Sequence, residues 1–403
     1  MNIPERAEKT TLHHDISFSA VIAGFIAVLV GYTSSAVIIF QAAEAAGATP
    51  AQTASWMIAL GIGTGVTSIG LSLRYRMPIL TAWSTPGAAL LATSLPGVAM
   101  SEAIGAFLFS ALLIVLCGIT GAFERIMQRI PHGIAAAMLA GVLLRFGLDL
   151  FSAMQTHFIM VFVMFMTYLG TKRWLPRYAI IAVLAVGIVV AATQGLLHFD
   201  TFKISVAMPV FTLPTFSFAT LIGIGIPLFI VTMASQNAPG VAVIRASNYT
   251  PPISPLISWT GLTTLLLAPF GAYALNLAAI TAAICMGKEA HNDPNKRYTA
   301  AVAAGVFYLI TGLFGATVAA LFAAFPQALV LAIAGLALLS TIGTSLASAM
   351  ESPQHREPAL ITFLVTASGF SLWGIGAAFW GLIAGGAALM LLSGRPSAAA
   401  PSR

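Results

Sequence analysis

Apolar runs of about 18–25 residues follow one another from Ile16 to Leu392, separated by short polar stretches. Each run is long enough to cross the hydrocarbon core of a bilayer. The pattern predicts fourteen crossings. The first seven lie at about 17–40, 51–73, 77–94, 101–122, 132–150, 154–171 and 178–197. The second seven lie at about 216–237, 253–272, 273–287, 299–322, 326–347, 357–373 and 375–393. The third and tenth are short and interrupted, which predicts a short strand feeding a half-helix rather than a continuous span.

The two sets share a pattern. Ile119-Thr120-Gly121, Phe123, Pro131, Ala140-Gly141 and Leu143-Leu144 are echoed by Ile310-Thr311-Gly312, Phe314, Pro326, Ala334-Gly335 and Leu338-Leu339. Gln41 and Gln236 stand 195 residues apart, the offset of the two prolines. Each is followed by Thr-Pro (Thr49-Pro50, Thr250-Pro251) and by Ser-Trp (Ser55-Trp56, Ser258-Trp259). Seven spans is an odd number, so a second copy enters the membrane from the opposite side. The expectation is an all-α polytopic membrane protein built as a 7+7 inverted repeat, the usual architecture of a secondary transporter.

Composition agrees and removes other classes. Of the 403 residues, 59% are hydrophobic and 7% charged, too few charges to cover a soluble protein of this length. With the N-terminus placed inside, sixteen of the eighteen Lys and Arg fall in inner loops or termini; Arg145 and Lys203 remain outside. This positive-inside bias explains the net charge of +6 as a topology signal, not a nucleic-acid surface. Both termini are then cytoplasmic. A cleaved signal peptide is not expected after the polar segment 1–15, which holds Arg6 and Lys9. The repeats span about 16–205 and 206–393, followed by a tail, 394–403. Cys117 and Cys285 sit in apolar runs and read as small core residues. No cluster of His, Asp or Cys lies within a span, so no metal, cofactor or catalytic residue is expected.

The candidate chemistry lies where the spans break. In Trp83-Ser84-Thr85-Pro86-Gly87-Ala88-Ala89, Ser or Thr before Pro opens a half-helix in mid-membrane, unless Pro86 merely kinks an ordinary span. The matching segment of the second half is Gly271 to Thr281. There Asn276 is either the cap of an apolar half-helix through Leu277 and Ala278 or an interhelical hydrogen bond. Polar patches end the first span of each half: Phe40, Gln41 and Glu44, and Gln236-Asn237 with Pro239-Gly240. An amide inside a membrane needs a partner, so both glutamines should face a polar cavity or each other. Amides, hydroxyls and helix N-termini suit a small anion, with Tyr32, Phe40 and Trp83 lining an apolar end. Gly61, Gly63, Gly65, Gly381 and Gly385 predict close helix contacts. Physical reasoning alone reaches a small anion.

The string Trp83 to Ala89, the Gln236-to-Gly240 segment and the length resemble the benzoate/proton symporter (BenE-type) family over nearly the whole chain. The resemblance implies proton-coupled uptake of benzoate across the bacterial inner membrane. With benzoate as cargo, the broken segments and polar patches above place the substrate among Gln41, Trp83, Ser84, Thr85, Pro86, Gly87, Gln236, Asn237, Asn276, Leu277 and Ala278. Membrane lipid is a further partner, and a homodimer is one option. The family is in turn distantly similar to uracil/xanthine-type nucleobase permeases, which divide into core and gate domains. Here that division implies a core of about 17–122 and 216–287 and a gate of about 132–197 and 299–393. Those permeases carry acidic residues in the eighth and tenth spans; here the counterparts are the uncharged Gln236 and Leu275. That departure leaves the proton carrier unassigned; Glu44, near the outer end of the first span, is the candidate for proton coupling, the alternative being a solvated end residue. Another small anion or a nucleobase on the same scaffold, or a passive channel, are the remaining readings.

Overall fold

The computed structural model describes residues 15–123, 125, 132–197, 204–288, 290–370, 372 and 377–392. The two terminal segments with Arg6, Lys9, Arg395 and Arg403, as well as Arg129, Pro131 and Lys203, lie outside the described residues.

The chain opens with α1 (Phe18–Ala45) and α2 (Pro50–Tyr75). A short strand, β1 (Thr81–Trp83), then feeds the half-helix α3 (Thr85–Ser94). Helices α4 (Met100–Ile119), α5 (His132–Ser152), α6 (Phe158–Trp174) and α7 (Ala179–Thr193) complete the first half. The second half runs α8 (Phe218–Arg245), α9 (Ile253–Leu267), β2 (Leu275–Leu277) and α10 (Ile280–Met286). It ends with α11 (Tyr298–Leu313), α12 (Gly315–Ala323), α13 (Gln327–Met350), α14 (Arg356–Ala367) and α15 (Ala377–Leu392).

Six helices are long and apolar enough to cross a membrane, or up to eight if each bent pair is one span, among the described residues. Fewer qualify than the fourteen crossings read from the apolar runs, for a physical reason. The helices α6, α7 and α15 have 17, 15 and 16 residues, and the broken segments contribute only half-helices. One bent pair is α11 with α12, which turn by 66°.

Helix α2 packs along α11, and α4 along α9. Helix α11 also packs on α1. Elsewhere α13 and α14 pack along α5, α14 along α15, and α6 along α7. Small residues let the helices approach closely: a Cβ on Gly61 would lie 2.5 Å from Gly312 Cα. Gly381 and Gly385 lie as tightly against Thr366 and Thr362. These are the contacts the glycine spacing leads one to expect.

The end of the molecule holding Asp15 is here the base; the end holding Glu44 is the mouth. At the base the buried Asp15 carboxylate accepts from Arg76 Nη1 (3.0 Å) and from the Tyr298 hydroxyl (2.8 Å), with Lys296 Nζ at 3.4 Å. This network ties the starts of α1 and α11 to the end of α2. Arg297 donates to Met286 O (2.9 Å) and His291 O (2.8 Å). Its charge therefore sits at the C-terminal end of α10, where a helix dipole favours a cation. The Tyr249 hydroxyl donates to Pro294 O (2.8 Å), and burial raises its pKa above the ordinary phenol value.

Helix α8 runs through the polar patch Gln236-Asn237 instead of ending there, as the apolar run suggested. Two π-bulges, Leu221–Gly225 and Met233–Asn237, directly precede Pro227 and Pro239. A proline inside a helix removes a donor and crowds the carbonyl four residues back, and a wider turn relieves both.

Candidate functional site

The two strands pair antiparallel at the centre of the protein, with Thr81 opposite Leu277, Ala82 opposite Asn276 and Trp83 opposite Leu275. Two bonds extend the ladder, from Ser84 N to Ala274 O (3.1 Å) and from Ala278 N to Leu80 O (2.9 Å). All six strand residues except Ala82 are buried. A buried two-stranded ribbon exposes two outer edges, whose backbone groups need partners. Helix side chains supply them. On the β1 side, Ser68 Oγ accepts from Thr81 N (3.0 Å), and Ser72 Oγ accepts from Ile79 N (3.1 Å) while donating to Ile79 O (2.9 Å). The Thr81 hydroxyl lies 2.6 Å from that of Thr67 and 2.8 Å from that of Ser68, and donates to Thr64 O (3.0 Å). On the β2 side, Thr264 Oγ1 accepts from Leu275 N (3.1 Å) and Asn237 Oδ1 from Leu277 N (2.9 Å).

Helix α3 starts as its local chemistry dictates. Ser84 is the N-cap, its Oγ accepting from Gly87 N (3.0 Å). The cap falls one residue earlier than a Pro at the first helical position would require, so Pro86 is the second helical residue. A side chain on Gly87 would meet Ser84 Oγ at 2.8 Å and Leu228 Cδ1 at 2.9 Å. Helix α10 starts differently, and not as the sequence predicts. Asn276 does not cap it: Asn276 is the middle residue of β2, and the helix opens at Ile280 with no side-chain cap bond. Pairing with β1 keeps the segment extended through Leu277. Asn276 Nδ2 donates to Ala274 O (3.1 Å), while its Oδ1, fully buried, has no partner.

Aromatic rings close one side of this junction. Trp83 donates from Nε1 to Ser35 Oγ on α1 (2.8 Å), and Ser35 donates to Gly31 O (2.6 Å). The Tyr32 ring meets Trp83 edge-on at 5.0 Å, and Tyr308 of α11 meets it at 5.6 Å. Asn237, buried in the second π-bulge, also donates from Nδ2 to Met233 Sδ (3.2 Å). Gly240 follows one helical turn later; a Cβ there would lie 2.6 Å from Leu277 Cβ, so α8 presses directly on β2.

Of the residues singled out in the sequence, Tyr32, Trp83, Ser84, Thr85, Pro86, Gly87, Asn237, Asn276, Leu277 and Ala278 meet at this junction. Gln236 adjoins it through Asn237 and is half-buried. Phe40, Gln41 and Glu44 do not join them. They lie farther along α1, Gln41 nine residues beyond Tyr32 and thus about 14 Å away at helical rise. There all three line a cavity of about 1000 Å³ at the mouth. The two glutamines therefore do not face each other. Sequence reasoning missed Tyr308, Ser35 and the hydroxyls of α2. The last had a legible signal: Thr64, Thr67, Ser68 and Ser72 recur on one face of an otherwise apolar helix.

No ionised side chain takes part in the hydrogen bonds of the junction, among the described residues. The N-terminus of α3, the positive end of its dipole, is the group at the junction that favours an anion. Two broken segments meeting at buried strands, on a polytopic helical scaffold, define a membrane transporter fold. Solved structures share it. The transmembrane domain of the cyanobacterial bicarbonate transporter BicA superposes with a TM-score of 0.60 at 12% identity, over 91% of this chain and 97% of that one. The overall structure of SLC26A9 gives 0.58 at 13% identity, over 93% and 65%.

Sequence comparison identifies the family. The model of the BenE benzoate membrane transport protein matches residues 14–391. The chain is 42% identical over 382 residues to the benzoate membrane transport protein of Acinetobacter baylyi, covering 95% of this chain and 97% of that protein. It is 53% identical over 372 residues to the inner membrane protein YdcO of Escherichia coli K12, covering 92% and 95%. The chain belongs to the benzoate membrane transport family: it is a transporter, not an enzyme.

Proposed function

We propose that this protein imports benzoate, or a closely related aromatic carboxylate, across the bacterial inner membrane by proton symport. The observation that carries the reading is the buried strand junction. It joins the dipole end of α3, the uncapped start of α10 and the unpartnered Asn276 amide oxygen to the ring cluster of Tyr32, Trp83 and Tyr308. Helix amides suit a carboxylate, and the rings offer edge and face contacts to an aromatic body. Asn276 would turn its amide to the ligand, with Gln236 and Asn237 holding the α8 side of the junction.

The strand and half-helix occur once in each half, and the antiparallel pairing of β1 with β2 is what a 7+7 inverted repeat of fourteen crossings would produce. We place both termini in the cytoplasm, on the positive-inside bias. The core then comprises α1–α4 and α8–α12, and the gate α5–α7 and α13–α15. Helix α11 moves to the core in this division because it packs along α1 and α2. Alternating access follows if the core shifts against the gate. Glu44, at the mouth, is our candidate for the proton.

The test is uptake of radiolabelled benzoate into proteoliposomes with and without an imposed pH gradient. Accumulation that rises with an inward proton gradient is expected. Uptake indifferent to the gradient removes symport, and accumulation never exceeding equilibrium indicates a channel. Competition by bicarbonate, sulfate and uracil separates other cargo. A Glu44→Gln protein with full proton-driven accumulation removes Glu44 from the coupling.

A further inference from the structure

Two cavities adjoin at the mouth, of about 1000 Å³ and about 400 Å³. Gln41, Glu44, Gln327 and Val330 line both. The smaller lies between the last turn of α3, at Ala92 and Thr93, and the gate-side helices α5 and α13. Arg145 of α5 is the one basic residue lining it, among the described residues. Its partner Asp149 is held loosely, at 3.8 Å, and the Arg145 side chain remains 76% exposed. Next to it Phe146, Val330 and Leu331 give an apolar wall.

The electrostatics of this place oppose an anion. The C-terminal end of α3 carries the negative end of its dipole. The Thr93 hydroxyl turns back on Ala89 O (3.2 Å) and Leu90 O (3.0 Å), so it covers some of those carbonyls without adding positive charge. Glu44 and Asp149 add two carboxylates. A carboxylate cargo arriving from this side needs a cation here, and a guanidinium matches a carboxylate in shape as well as charge.

We propose that the smaller cavity is an outer subsite that holds an aromatic carboxylate before it reaches the central junction. Arg145 pairs with the carboxylate, Gln41 and Gln327 give it hydrogen bonds, and Phe146 with Val330 receives the ring. This rests on the transport reading above. The subsite and the junction lie at opposite ends of α3, whose ten residues span about 15 Å. Cargo therefore moves from the unfavourable to the favourable end of one dipole. Because α3 belongs to the core and α5 and α13 to the gate, any shift of core against gate reshapes the subsite.

The experiment measures initial rates of labelled benzoate uptake into proteoliposomes over a range of concentrations. Arg145→Gln is expected to raise KM about tenfold with kcat within twofold, the signature of lost binding without lost turnover. Arg145→Lys should recover part of the loss. Asp149→Asn releases Arg145 and should lower KM about threefold. Added salt should raise the wild-type KM and leave that of Arg145→Gln unchanged. A wild-type KM in Arg145→Gln, or lost kcat at unchanged KM, overturns the proposal while the transport reading stands. If Arg145→Gln does not fold, Asp149→Asn decides: an unchanged or raised KM overturns it. A wild-type protein that takes up no benzoate overturns both readings.

Discussion

The two strand-to-helix breaks meet through their paired strands but are built by different means. The β1–α3 break is self-sufficient. Ser84 caps its helix, Gly87 lets the cap close, the hydroxyls of Ser68 and Ser72 satisfy the strand edge, and that of Thr67 meets the Thr81 side chain. The β2–α10 break depends on its surroundings. Its helix has no cap, and its edge is held by Thr264 and by Asn237 in a π-bulge of a distant helix. Its central residue keeps an amide oxygen without a partner. One half is pre-organised; the other is left incomplete, at the place where we propose that the ligand binds. A buried unpaired acceptor costs about 1–3 kcal/mol, so its retention at the junction of a transporter points to function.

That contrast can be broken most strongly through the dependent half. Gly240→Leu would drive a side chain into Leu277, and overpacking of this kind costs about 3 kcal/mol. A large fall in the thermal midpoint in detergent and loss of uptake are expected. A protein that melts like the wild type would show that α8 does not hold β2.

In the self-sufficient half, Thr81→Val removes a hydroxyl bonded to α2 and leaves buried partners behind, at about 2 kcal/mol. The midpoint should fall, and proteolysis between α2 and α3 should quicken. Ser84→Ala removes one cap, at about 1 kcal/mol. Both stability and apparent benzoate affinity should drop modestly, because the start of α3 loosens.

Asn276→Leu sharpens the comparison with the smallest effect on stability. Replacing a half-satisfied buried amide by an apolar residue of similar size is close to neutral for folding. The thermal midpoint should stay near that of the wild type, while benzoate uptake falls about tenfold, the equivalent of about 1.4 kcal/mol. A stability loss equal to that of Ser84→Ala, with uptake preserved, would make Asn276 structural and erase the difference between the halves.

Legibility in the sequence followed the range of the forces involved. Ser84, Pro86 and Gly87 announce a helix start because capping and proline sterics act within four residues. The break at 81–87 is therefore legible almost to the residue. Asn276 sits in a strand instead of at a helix cap for the converse reason. Nothing local keeps Leu275 to Leu277 extended; the partner strand does, and it lies almost 200 residues away in the chain. Gln41 and Gln236 share an offset and a context, yet one lines the mouth and the other adjoins the junction. A matching position along two helices does not say which side of each faces a cavity.

By itself the sequence determined the membrane class, the small number of charges, and the place where the chain breaks between β1 and α3. These depend on transfer of side chains to lipid and on short-range backbone chemistry. The tertiary structure alone decided that the two breaks meet as paired strands and that helix side chains close their edges. It also decided that Glu44 and Arg145 face cavities about a half-helix away from the central junction. Those outcomes depend on which buried backbone groups find partners across the fold, and hydrogen bonds between distant segments leave no periodic mark on the chain.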